Sequence, residues 1–140
     1  MSKPEHFGQH WWRVIHGGAA GAKTMEKRIE FKRYVEVTIP TLLPCDSCSI
    51  HWRQNIVKYD INLYMNSEEQ LLLWSYLIHS VVNQMLGKQD QPSYNEVKRQ
   101  YLPEPGFTCT TVCSVDAIEH TAPPQPRTKP TRGTPSFRYR

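Results

Sequence analysis

Residues 66–88 read NSEEQLLLWSYLIHSVVNQMLGK, and this stretch decides the fold class. Asn66 and Ser67 are N-cap residues, with Glu69 and Gln70 three positions later as capping-box partners. Gly87 supplies a stop, because glycine accepts the left-handed conformation that closes a helix. Between them Leu72, Tyr76, His79, Asn83 and Leu86 recur at steps of three and four, so they share one face. Two polar side chains, His79 and Asn83, sit inside that stripe. Burying them without partners is costly, so something polar must meet them.

Other segments are helical too. Trp12 and His16 lie one turn apart and mark a helix from about His10, whose continuation Gly17, Gly18 and Gly21 are expected to loosen. A further helix starts near Cys45, because Pro44 suits a first turn, where its missing N–H is no loss. Residues 93–101 form a short helix closed by Pro103 and Pro105. Residues 25–43 stay ambiguous. Met25 and Ile29 fit a helix, Val35, Val37 and Ile39 alternate like a strand, and Pro40 disturbs either.

The length of 140 residues, 39% apolar and 11% aromatic, suits one domain with a modest core that needs no disulfide staples. No apolar run is long enough to span a membrane. The N-terminal MSKPEHFGQHWW lacks the apolar stretch and cleavage site of a signal peptide. A cytoplasmic, reducing setting is therefore expected, where disulfides are transient and catalytic more often than structural.

The net charge of +4 resides in the C-terminus. Residues 121–140 hold Arg127, Lys129, Arg132, Arg138 and Arg140 with five prolines and no acid; the other 12 basic groups face 13 acids, a net of −1. This tail is too poor in apolar residues to offset its ordering entropy and is expected to be disordered. Its charge suits nucleic acid or an acidic partner, or simply solvent.

Four cysteines carry the chemistry. Cys45-x2-Cys48 at a helix start has a physical consequence: free backbone N–H groups and the helix dipole stabilise a thiolate there. Zinc ligation uses the same spacing. Cys109-x3-Cys113 is the second pair, and a zinc site would join it to the first, giving a zinc-stabilised binding module with a nucleic-acid-contacting tail. The x3 spacing and the lack of a knuckle pattern argue against a metal. The other reading is a mobile dithiol that exchanges disulfides with the first pair. A thioredoxin-like fold is excluded by context, since β-α-β alternation is absent.

Three blocks taken together resemble the Erv/ALR family of FAD-linked sulfhydryl oxidases. They are Trp12-x3-His16 with Gly8 ahead of it; Pro44-Cys45-x2-Cys48-x2-His51 followed by Trp52; and Trp74, His79, Val82, Asn83, Leu86 and Lys88 in the third. The wording is nearest that of members from large cytoplasmic DNA viruses, placing the protein in host cytoplasm or virion. The resemblance implies an all-α fold: a four-helix bundle with an additional short helix, holding FAD non-covalently, in a homodimer. It implies FAD contacts from Trp12, His16, His79, Asn83, Leu86 and Lys88, with no metal. It implies oxidation of protein dithiols by O2 to give hydrogen peroxide, with a thioredoxin-like relay protein as a fitting substrate. Cys45, the more exposed cysteine by this likeness, meets the incoming dithiol, and Cys48 faces the flavin; Cys109 and Cys113 are the candidate shuttle.

The resulting layout is an FAD-binding domain at 1–102, a flexible shuttle segment at 103–120 and a disordered tail at 121–140. The chain also departs from the family pattern. Ser80 stands where most members have Asn, and Gln9 where cellular members have Arg. Residues 57–59 and 89–94 lack the structural cysteines of cellular members. Trp74 is as suited to a core as to a cofactor wall.

Overall fold

The computed structural model describes residues 4–102. Cys109, Cys113, the segment 103–120 and the tail 121–140 lie outside them. The elements are α1 (Pro4–Gly21), α2 (Met25–Arg33), a π turn (Tyr34–Thr38), α3 (Ile39–Leu42), α4 (Asp46–Lys58), a 3-10 turn (Ile61–Tyr64), α5 (Glu68–Met85) and α6 (Tyr94–Tyr101). The α2–π–α3 stretch keeps helical backbone throughout, so four long helical rods and one short helix make the fold, with no strand among the described residues.

Local rules explain most boundaries. Ser67 caps α5 by accepting the Gln70 N–H at 3.1 Å, and Gly87 closes it at φ +71. Ser93 and Glu96 form a reciprocal capping box on α6. The cap of α4 is Cys45 itself, so Pro44 lies just outside the helix rather than in its first turn.

The ambiguous segment resolves by burial. A strand would put Val35, Val37 and Ile39 on one face; a helix puts Val35 and Ile39 together and Val37 opposite. Val35 and Ile39 are buried, at 0% and 1% exposure, whereas Val37 is 55% exposed. The π turn accommodates Pro40. The Ile39 N–H reaches back five residues to Tyr34 O, and in that register Pro40, having no N–H, leaves Val35 O without its donor. The Trp52 indole N–H fills the gap at 2.7 Å. Ser49 Oγ–H donates to the Pro40 carbonyl at 2.5 Å. Thus α4 is tied to the rod at the point where proline weakens it.

The first helix also differs from expectation. It begins six residues before His10 and continues unbroken to Gly21. Burial of Ile15, Ala19 and Ala20 on one face offsets the helix cost of its glycines, about 1 kcal/mol each. Gly18 has a packing reason: a Cβ there would stand 3.3 Å from the Phe31 ring.

The core gathers Ile15 and Ala19 of α1, Phe31, Val35 and Ile39 of the second rod, Trp52 of α4, Leu71, Leu72, Trp74 and Ile78 of α5, and Val97 of α6. Its most extensive helix pairing is α1 on α5. Trp74 is a core residue, 1% exposed, edge-on to Phe31 at 6.3 Å and donating its indole N–H to Tyr59 O at 2.8 Å. Hydrogen bonds tie the regions that lack the structural cysteines. Besides Trp74 to Tyr59, Tyr76 Oη–H donates to Pro92 O at 2.9 Å, and Gln91 Nε2–H donates to Ser80 Oγ. Ser80 therefore holds the α5–α6 connection.

Candidate active site

The N-terminus of α4 places the first functional pair. Cys45 and Cys48 form a disulfide with Cα atoms 5.2 Å apart, the separation that one helical turn supplies. Cys45 has extended backbone (φ −151, ψ 111), and its sulphur accepts the Cys48 N–H at 3.3 Å. A disulfide sulphur carries no hydrogen, so Ser47 Oγ–H donates to it as well, at 3.3 Å. Both contacts favour negative charge on Cys45 Sγ once the bond opens. Contrary to the expectation of a more exposed Cys45, it is buried at 5% exposure, while Cys48 is half-buried. The capping position turns Cys45 into the protein, and one turn later Cys48 opens onto a cavity.

That cavity, about 450 Å³, lies among α1, α3, α4, α5 and α6. Its wall includes Trp11, Trp12, Trp52 and Tyr101 as aromatic surface, and the cations Arg13 and Lys88. A volume of this size with a mostly apolar wall and few polar groups is the ordinary form of a ligand site. His16, buried, and His79, half-buried, line it. The ring of Trp12 stacks on His79 at 4.1 Å, nearly parallel (11°), and lies 5.8 Å from both His16 and Trp52. The two imidazoles meet, His16 Nε2 to His79 Nδ1 at 3.0 Å, and His16 Nδ1 is 2.8 Å from Ser75 Oγ.

Of the sequence-derived positions, the fold brings Trp12, His16, His79, Leu86, Lys88 and Cys48 onto one cavity wall. Asn83 is buried on α5 but is not part of that wall. Leu86 is half-exposed at its edge. Gln9 and His51 also line the cavity. The sequence reading missed Ser75, Arg13 and Tyr101. Ser75 was legible in principle, four residues before His79 on the same helix face. Tyr101 was not, because only packing of α6 brings it within 5.5 Å of His16.

Both histidines are held neutral. Desolvation lowers His16 from 6.5 to about 4. Desolvation, aided by the charges of His16 and Lys88, does the same to His79. The unfolded chain therefore binds protons that the folded chain refuses. Stability is full above pH 6.5 and is lost as pH falls toward 4. The loss is about 3 kcal/mol from His16 and less from the more solvent-screened His79. Urea midpoints measured from neutral pH down to about pH 4.5 are expected to drop accordingly, and replacing both histidines by glutamine should remove most of that drop.

The match to known proteins decides the family. A family model described as Erv1 / Alr covers residues 9–102, about two thirds of the chain. The chain belongs to the Erv1/Alr family. Two viral relatives, each provisionally named an FAD-linked sulfhydryl oxidase, are similar to it. One is 096R of Invertebrate iridescent virus 3, 28% identical over 106 residues, 74% of this chain and 71% of that protein. The other is R368 of Acanthamoeba polyphaga mimivirus, 30% identical over 90 residues, 61% of this chain and 62% of that protein. The fold of this Erv1/Alr chain is that of the yeast Erv1 core. The TM-score is 0.63 at 22% identity, covering 77% of this chain and 89% of the yeast one. A mutant of Erv1 from Saccharomyces cerevisiae gives the same TM-score at 21% identity, with the same coverage. Among the described residues of this Erv1/Alr chain, no three His, Cys, Asp or Glu side chains are grouped to hold a metal ion. No helix there is long and apolar enough to cross a membrane.

Proposed function

We propose that this chain is an FAD-linked sulfhydryl oxidase that converts protein dithiols to disulfides and passes the electrons to O2, giving hydrogen peroxide. The observation that carries the reading is the Cys45–Cys48 disulfide with Cys48 on the wall of an aromatic cavity. The residues present fit the cofactor. The rings of Trp12, Trp52 and Tyr101 with Leu86 offer flat apolar surface for the isoalloxazine and adenine rings. Lys88 and Arg13 offer cations for the pyrophosphate. His79, held neutral, offers a hydrogen bond through Nε2, while His16, with both ring nitrogens engaged by Ser75 and His79, orients it. Asn83, off the wall, is left out of this set.

When bound, FAD accepts two electrons and delivers them to O2. The chain's part is thiol exchange. A substrate thiolate attacks Cys45 Sγ, which at 5% exposure is reached only when the segment around Leu42, Pro44 and Asp46 shifts to uncover it. The Cys45–Cys48 bond breaks, and Cys48 leaves as a thiolate on the cavity wall. The second substrate thiol then attacks the mixed disulfide and releases Cys45. The Cys48 N–H and the Ser47 hydroxyl make Cys45 a good leaving group for that step. The exposed Leu42, Pro44 and Asp46 beside Cys45 form the surface a substrate protein meets first. Two protons leave the dithiol and end on hydrogen peroxide.

The finer assignments belong to the same reading. The chain works as a homodimer on a thioredoxin-like relay protein, in host cytoplasm or virion. Residues 1–102 bind FAD, Cys109 and Cys113 of residues 103–120 carry electrons from substrate to Cys45, and residues 121–140 form a basic appendage. Cys109→Ser is expected to leave oxidation of dithiothreitol within about twofold of the parent while slowing a reduced protein substrate roughly tenfold or more. Equal loss on both substrates rules out a shuttle.

A visible spectrum of the purified protein tests the whole reading. A flavin band near about 450 nm, bleached by dithiol and restored by O2 with release of hydrogen peroxide, is the expected result. A colourless protein with stoichiometric zinc overturns it in favour of a metal-stabilised binding module.

A further inference from the structure

The hydrogen bonds at the base of the cavity have a direction that their chemistry dictates. Ser75 is fully buried on α5, and its Oγ lies 2.7 Å from the Leu72 carbonyl. A carbonyl only accepts, and a hydroxyl has one hydrogen, so that hydrogen is committed to Leu72. Ser75 Oγ can then meet His16 Nδ1, 2.8 Å away, only as an acceptor. His16 Nδ1 therefore carries the proton. In a neutral imidazole the other nitrogen is bare, so His16 Nε2 accepts, and its partner at 3.0 Å, His79 Nδ1, carries a proton in turn. His79 Nε2 is left bare. It has no protein partner among the described residues, and the ring lines the cavity.

We infer that Ser75 is a positioning residue: anchored on Leu72, it sets the proton order of the His16–His79 pair and makes His79 Nε2 a hydrogen-bond acceptor for a ligand hydroxyl or amine N–H. Phosphate and ring-carbonyl oxygens bring only lone pairs and are turned away at this point. A sugar hydroxyl or an exocyclic amine is accepted. The burial that keeps both rings neutral keeps the order intact, since protonating either ring would make both of its nitrogens donors. Trp12, stacked on His79, holds the ring plane while the hydrogen bonds hold its tautomer. The two controls are independent, one steric and one electrostatic. The ligand part of the inference rests on the flavin reading; the proton order does not.

The direct test is the tautomer itself. Full-length protein labelled with 15N-histidine, with FAD bound and with FAD removed, is read by long-range proton–nitrogen correlation near pH 7. His16 and His79 are expected as neutral Nδ1–H tautomers in both preparations; a proton on Nε2 of either ring overturns the proposal. In Ser75→Ala, His16 is expected to lose its single tautomer and His79 to follow. FAD affinity, read by flavin fluorescence, should fall about tenfold, the cost of one mispaired buried hydrogen bond. Ser75→Thr, which keeps a hydroxyl, should restore both readouts. A Ser75→Ala protein that keeps both Nδ1–H tautomers shows a purely structural serine and overturns the inference. If Ser75→Ala fails to fold, the parent's tautomers still decide. A parent that never binds FAD yet shows both Nδ1–H forms defeats the flavin reading alone, whereas FAD bound to an Nε2–H His79 defeats this inference alone.

Discussion

Cys48→Ser is expected to abolish thiol oxidation, by roughly three orders of magnitude or more, while FAD stays bound. The reason is specific to the position. Cys48 is the member of the disulfide on the cavity wall, and serine can neither form that bond nor leave as a thiolate. The substitution is nearly isosteric and removes no aromatic surface, so the flavin band should be retained. Oxygen uptake with dithiothreitol as donor measures the loss, and the spectrum of the same sample measures the cofactor. Turnover within about tenfold of the parent would place the chemistry elsewhere. Cys45→Ser should be equally inactive, yet it leaves Cys48 as a lone thiol. That thiol is expected to react with iodoacetamide several times more slowly when FAD is present, because the cofactor covers the wall on which it lies. Equal rates with and without FAD would show that Cys48 does not face the cofactor.

Trp74→Ala should have the largest effect on stability, a loss of about 3–5 kcal/mol. The side chain is 1% exposed, packs edge-on against Phe31 and holds the end of α4 through Tyr59 O. Truncation opens a cavity between α5 and the second rod and leaves that carbonyl without its donor. Against a typical domain stability of roughly 5–15 kcal/mol, this removes a large share. Urea unfolding measures it. Trp74→Phe separates core from cofactor wall: it keeps most of the ring and drops the N–H, costing about 1–2 kcal/mol. Since Trp74 lies off the cavity wall, FAD binding and turnover should be unchanged. A loss of flavin in Trp74→Phe without a loss of stability would contradict its place in the core.

Much of this was legible in the chain itself. The apolar spacing and the caps at Ser67 and Ser93 depend on neighbours within one or two turns, so they mark α5 and α6 whatever the rest does. The three blocks carrying Trp12, Cys45, Cys48 and His79 pointed to a flavin because of their residue types and order. The stripe that the spacing predicts on α5 lies slightly out of phase with the face the fold buries. Its buried face centres on Leu71, Leu72, Ser75 and Ile78, and Leu86 lies at the exposed end. A stripe wide enough to touch three neighbouring helices has no single phase that spacing alone can choose.

What the sequence by itself determined is therefore local: that the chain is helical, where most helices start, and which side chains could do redox chemistry. Only the tertiary structure decided how they are used. It settled residues 25–43 as a rod with a π turn, because burial of Val35 and Ile39 together and a donor from Trp52 outweighed a β-like pattern and a proline. It made Cys45 the buried and Cys48 the cavity-facing sulphur, reversing the expected exposure. And it joined Ser75, His16 and His79 into one directed chain across 59 and 63 residues of sequence. The physical reason is that a helix's own hydrogen bonds are satisfied within the helix, whereas a buried imidazole must find its partner wherever packing brings one.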